Sequence, residues 1–120
     1  VYVTLSEAVK GYTDPNRAAD EIVRLCDTQL QPVIDEAFHH IRTTLNTGEM
    51  ILAMKREKVS EVAVWTAKKR YLLLVRDEEG KGRLKTPKMK ATGLEHIKPS
   101  TPKAAREIMN KCFEFCSINP

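Results

Sequence analysis

Residues 65–80, WTAKKRYLLLVRDEEG, place Lys68, Lys69, Arg70 and Tyr71 directly at the head of an uninterrupted apolar run. Cations at the mouth of a buried strand cost desolvation unless something anionic meets them. Leu72-Leu73-Leu74-Val75 shows no polar alternation, so this strand is expected to be covered on both faces or central in its sheet. Its cations then sit on a rigid element, where they can meet phosphates or reach minor-groove acceptors. Tyr71 adds a hydroxyl and a ring at the same place. Lys81, Arg83 and Lys85 alternate, which puts them on one face of an extended ribbon, and Lys88 and Lys90 resume the alternation after Pro87. Ser100-Thr101-Pro102 predicts a helix start, a hydroxyl cap before proline, whose free N–H groups and positive dipole end suit a phosphate.

No catalytic constellation assembles beside these binding features. His39 and His40 are adjacent and diverge by about 100° around a helix, so they do not readily share a ligand. His96 stands alone near a bend. No serine has a nucleophile-elbow context, and there is no glycine-rich phosphate loop. Glu57, between Arg56 and Lys58, reads either as a functional carboxylate near a metal or as a charge neutralised by its neighbours. Asp77-Glu78-Glu79-Gly80 reads as a solvated turn rather than a metal site. The three cysteines offer neither a disulfide framework nor zinc spacing, and suit a reducing compartment.

The charge is divided along the chain. Residues 1–54 carry four Lys/Arg and eight Asp/Glu, whereas residues 55–111 carry sixteen Lys/Arg and seven Asp/Glu. A net charge of +4 over 120 residues therefore hides a strongly basic second half, which points to a polyanionic partner such as nucleic acid. At 42% hydrophobic and 30% charged, the chain has the composition of one folded domain. No apolar run is long enough to span a bilayer, and no signal peptide is recognisable. Val1 begins within a strand-like segment, so the sequence is expected to be a piece of something longer.

An α+β fold is expected: a small antiparallel sheet packed on a long kinked helix, with a trailing C-terminal helix. Val1–Leu5 reads as a strand. Asp14-Pro15 starts a helix with an aspartate cap. Ala18, Ile22, Leu25 or Cys26, Leu30, Val33, Ala37, Ile41 and Leu45 recur at helical spacing and predict its core face. Pro32 is expected to kink or split this helix near Gln31, and Asn46-Thr47-Gly48 to end it. Met50–Met54, Val62–Trp65 and Tyr71–Val75 read as strands, and Gly93 as a bend. Ala104, Ile108, Cys112 and Cys116 form an apolar stripe on the last helix, with Ala105, Met109 and Phe113 beside it.

Taken in order, these motifs resemble the family B DNA polymerases, specifically the replicative polymerases of tailed phages. Lys68-Lys69-Arg70-Tyr71 resembles the family's KKRY motif, and Arg56-Glu57 an RE pair on a palm strand. Asp77–Gly80 resembles a D-x-E-G turn, and residues 86–95 resemble PKLK…GLE. Ser100–Ala104 resembles STPKA, where the thumb begins, and Gln31–Asp35 an EPAID helix. The likeness runs over nearly the whole chain.

The resemblance implies the C-terminal part of a polymerase palm over residues 1–98 and the start of the thumb over 99–120. The catalytic aspartates of the family would lie upstream of Val1. It also implies DNA contacts at Lys68, Lys69, Arg70, Tyr71, Lys88, Lys90, Ser100 and Thr101, with Lys69 in the minor groove at the primer terminus and Tyr71 on the primer strand. Glu57 becomes an accessory catalytic carboxylate. Mg2+ is expected in the intact polymerase and not in this piece, which is expected to be inactive alone. The implied partners are primer–template DNA, dNTP only in the intact enzyme, and the remaining polymerase subdomains, with no membrane, in the cytoplasm of an infected bacterium. Lys58–Val64 is shorter than the Gly-rich loop of some relatives, and Pro99 replaces a common serine, so contacts at those places do not transfer. A stand-alone nucleic-acid-binding α+β module is the rival reading. A protein-interaction domain docking through Ala104, Ile108 and Cys112 is a third.

Overall fold

Asp14-Pro15 opens the first helix as the sequence indicates. In the computed structural model, which describes residues 1–49 and 51–118, α1 (Pro15–Leu25) begins at the proline. The Asp14 carboxylate accepts a hydrogen bond from the Asn16 N–H at 2.9 Å. A cap of this kind contributes about 1 kcal/mol.

Pro32 is accommodated one turn earlier. Residues Cys26–Leu30 widen into a π turn, in which the Gln31 N–H reaches back to the Cys26 carbonyl, and α2 (Gln31–Leu45) follows without a break. Proline has no N–H, and its ring crowds the carbonyl four residues back; the wider turn separates the two. The extra residue spent there rotates everything after it by about 100°. The covered face moves accordingly. Val33, Ala37, Ile41 and Leu45, expected toward the core, are exposed, whereas Ile34, Phe38 and Arg42 are half-buried, each one residue later. Asn46 then closes α2 in the left-handed region, at φ 49°.

Two expected strands do not form. Val1–Leu5 leads without ladder pairing into a 3-10 turn at Glu7–Val9. Residues 51–57 also lack strand structure, and Met50 lies outside the described residues. The apolar side chains at Val1, Tyr2, Val3, Ile51 and Leu52 are exposed. β-branched composition alone cannot supply the neighbouring strand that a ladder needs. Polar contacts to the helix hold the later segment instead. Gln31 Nε2 donates to the Met54 carbonyl and to Asp35 Oδ1, both at 2.8 Å, and Arg56 Nε lies 4.0 Å from Asp27 Oδ1.

A three-stranded antiparallel sheet follows, formed by β1 (Lys58–Ala67), β2 (Arg70–Glu78) and β3 (Gly82–Thr92) in that spatial order. The apolar run lies in the middle strand, where Leu72, Leu73 and Val75 are buried. Asp77 and Glu78 belong to β2 rather than to the turn, and Asp77 is buried. The reversal itself is Glu79–Lys81, with Gly80 at φ 77°, Gly82 at φ 66° and Lys81 N–H donating to the Glu78 carbonyl at 3.1 Å.

The last helix, α3, spans Lys103–Ile118. Its covered side is the Ala105, Met109 and Phe113 stripe. Ala105, Met109 and Phe113 are half-buried, while Ala104, Ile108, Cys112 and Cys116 are exposed. Met109 and Phe113 remove more apolar area from water than Ala104 and Cys112 could, which decides the face. Two compact units result, Val1–Val59 and Ser60–Pro120; the expected 98/99 boundary falls inside the second. Among the described residues no helix is long and apolar enough to cross a membrane.

Candidate nucleic-acid interface

Lys68 and Lys69 form the two-residue turn between β1 and β2, and both are exposed. Lys69 has φ 62°, in the left-handed region. That conformation costs a residue with a Cβ about 1–2 kcal/mol, so the surroundings must hold it. They do so from several sides. Thr66 Oγ1 donates to the Arg70 carbonyl at 3.1 Å, and the Trp65 and Tyr71 rings meet with centroids 5.1 Å apart at 55°. Gly93, at φ 65°, lies directly against the turn; an added Cβ there would stand 2.4 Å from the Lys69 carbonyl oxygen.

Arg70 is engaged by the protein itself. Its Nε donates to the Gly93 carbonyl at 3.1 Å, and its Nη2 pairs with Glu95 Oε1. Lys98 Nζ meets the same carboxylate oxygen at 3.0 Å. The Lys98 hydrogen bond holds the Glu95 carboxyl below its ordinary 4.5, with the backbone and Arg70 adding to this and partial desolvation opposing it. A carboxylate shifted down stabilises the fold above its unfolded value and loses that contribution as pH falls through the lower folded value. Trp65 is the only tryptophan and stands at this hairpin, so its emission can report the change. An emission change on acidification is expected below pH 4.5, and Glu95→Gln should abolish it. A midpoint above that value, or a change that survives the substitution, would exclude Glu95 as its origin.

Lys88 is exposed and Lys90 half-buried on β3. β3 pairs Thr92 with Tyr71, Lys90 with Leu73 and Lys88 with Val75, then shifts, so that Arg83 stands opposite Asp77. Cross-strand partners share a face, so Tyr71, Lys88, Lys90 and Arg83 lie on one side of the sheet. The irregularity moves Arg83 into line with Lys88 and Lys90, which simple alternation from Arg83 would not do. Leu73 and Val75 are buried on that same side. Lysine stems can cover such residues while their ammonium groups stay in water.

Neither Ser100 nor Thr101 occupies the cap position of the last helix, which falls at Pro102. Thr101 Oγ1 donates to the Glu95 carbonyl at 2.7 Å, and its N–H to the Lys98 carbonyl at 3.1 Å. The helix starts after Pro102, whose carbonyl accepts from the Arg106 N–H at 3.0 Å. The leading N–H groups therefore belong to Lys103 onward rather than to Thr101. Ser100 is exposed beside them. Glu57 lies in the first unit, exposed and ion-paired with Lys58. Among the described residues, no group of three or more His, Cys, Asp or Glu side chains could hold a metal ion.

The chain is similar to phage DNA-directed DNA polymerases. It is 33% identical over 110 residues to that of Escherichia phage RB69, covering 85% of this chain and 12% of the relative. It is 29% identical over 124 residues to that of Enterobacteria phage T4, covering 92% of this chain and 14% of the relative. The chain thus spans a small part of the length of the curated relatives it matches. No family model matches.

The basic residues Lys68, Lys69, Lys88 and Lys90 and the ring of Tyr71 are brought together on one sheet and its hairpin. Sequence reasoning missed Glu95 and Gly93 as organisers of that hairpin. One signal was present: Glu95 is the only carboxylate between Glu79 and Glu107, a stretch with eight Lys/Arg.

Proposed function

We propose that this chain is part of a family B replicative DNA polymerase of a tailed phage, comprising the C-terminal palm (residues 1–98) and the start of the thumb (99–120). In this reading it grips the primer–template duplex near the primer terminus. The observation that carries the reading is the Lys68–Lys69 turn, exposed and held by its neighbours beside Tyr71, in a chain similar to phage DNA polymerases over most of its length. Lys69 would probe the minor groove, where acceptors occupy similar positions in every matched base pair. Tyr71 would contact the primer strand. Lys68, Lys88 and Lys90 would neutralise phosphates, and Ser100 and Thr101, at the approach to α3, would lie along the backbone.

Arg70, engaged with Gly93 and Glu95, would support the turn rather than take a phosphate of its own. Glu57 would be an accessory carboxylate in the parent enzyme. The divalent ions of such an enzyme supply Lewis-acid stabilisation of nucleotidyl transfer from dNTP to the primer. The residues of this chain would bind and orient the duplex, working with the remaining polymerase subdomains in the infected host's cytoplasm.

Fluorescence anisotropy with a labelled primer–template tests the placement. Lys69→Ala should weaken binding to a recessed 3′ end roughly tenfold, about 1.4 kcal/mol, and binding to a blunt duplex much less. Lys88→Ala should weaken both substrates alike. Equal losses for the two variants on both substrates would remove the primer terminus from the reading. The chain alone should extend no primer when given dNTP and Mg2+; measurable incorporation would overturn its assignment as a non-catalytic portion.

A further inference from the structure

Glu95 joins two elements. Its carboxylate pairs with Arg70 and Lys98, while its main-chain carbonyl accepts from the Thr101 hydroxyl at 2.7 Å. Arg70 is the residue that follows the Lys68–Lys69 turn, and Thr101 lies just before α3. One residue therefore ties the lysine hairpin to the entry of the last helix. Gly93 completes the grip by lying directly against the Lys69 carbonyl.

The sign of the Glu95 charge needs a reason. Between Glu79 and Glu107 it is the only carboxylate among eight cations. On a surface that attracts a polyanion, a lone negative charge opposes binding. Ion pairs this exposed contribute little stability. What Glu95 does supply is direction: it pairs with the Arg70 guanidinium, whose Nε donates to the Gly93 carbonyl, beside a turn whose Lys69 adopts a conformation that an unsupported lysine rarely takes.

We propose that Glu95 is a positioning residue: through Arg70 it locks the Lys68–Lys69 turn in the conformation that presents Lys69 to the DNA, and through Lys98 and Thr101 it ties that turn to the start of α3. The proposal rests on the reading that Lys69 contacts DNA. It makes a prediction opposite in sign to simple electrostatics. Removing the Glu95 charge raises the net positive charge and releases Arg70, which by charge alone should tighten binding. Loss of positioning weakens it.

The test is a double-mutant cycle on the whole chain, using a labelled primer–template with a recessed 3′ end and anisotropy as readout. Glu95→Gln should bind about fivefold more weakly than the parent. In the Lys69→Ala background the same substitution should cause no further loss. Glu95→Asp, which keeps the charge, should recover part of the affinity. Circular dichroism checks that each variant is folded; should Glu95→Gln not fold, Glu95→Asp carries the comparison, with a smaller loss that again vanishes without Lys69. Unchanged or tighter binding by Glu95→Gln, or an equal loss in both backgrounds, would overturn the positioning role while leaving the DNA reading in place. Unchanged binding by Lys69→Ala would instead bring down the DNA reading, and this proposal with it.

Discussion

Gly93→Ala is expected to destabilise the sheet-bearing unit by about 2–5 kcal/mol. Two costs combine. At φ 65° an alanine pays the left-handed penalty of about 1–2 kcal/mol. Its Cβ would also stand 2.4 Å from the Lys69 carbonyl oxygen and 3.2 Å from Arg70 Cγ. The nearer neighbour is backbone held in a tight turn, so relief requires moving the hairpin, a strain of about 1–3 kcal/mol. Gly80 provides the control. It has φ 77° and nothing within 4 Å of an added Cβ, so Gly80→Ala should cost only the conformational part. Urea unfolding followed through Trp65 emission gives both values. Equal losses at the two glycines would show that the approach to Lys69 carries no energetic weight.

Raising salt from 50 to 200 mM should weaken duplex binding about 40-fold. The figure follows from counterion release if roughly three phosphates are neutralised, with a slope of about −0.9 per contact. The phosphate-neutralising cations are Lys68, Lys88 and Lys90, drawn from one hairpin turn and one strand. Substituting any one of Lys68, Lys88 or Lys90 by alanine should reduce the slope by about 1. A titration series at several salt concentrations measures it. A slope below about 1 for the unsubstituted chain would exclude this surface as a phosphate-binding strip.

Features governed by local chemistry were legible in the sequence. Asp14-Pro15 marked a helix start because the cap and the proline act within one turn. Tyr71–Val75 marked a central strand because its apolar run left no solvated face. The cationic residues ahead of that strand marked the candidate surface, and Lys68 and Lys69 are exposed on its hairpin. Features set by tertiary partners were not legible. Val1–Leu5 has strand composition, yet whether it pairs depends on a neighbour that its own residues do not specify. The Ala104 and Met109 stripes on α3 are both apolar, and only docking chooses between them. Arg70 looked equivalent to Lys68 and Lys69 until Glu95, distant in sequence, was seen to engage it. Thr101 looked like a cap, and its hydroxyl instead finds the Glu95 carbonyl.

The widened turn at Cys26–Leu30 works like a single spacer slipped under one half of a screw. Tightening that turn to ordinary α pitch with every residue kept, as Pro32→Ala would allow, swings the distal half through about 100°. Val33, Ile41 and Leu45 would turn under cover, and Ile34 and Phe38 would turn out to water. A change of one codon could thus exchange which side chains this rod displays, without altering any of them.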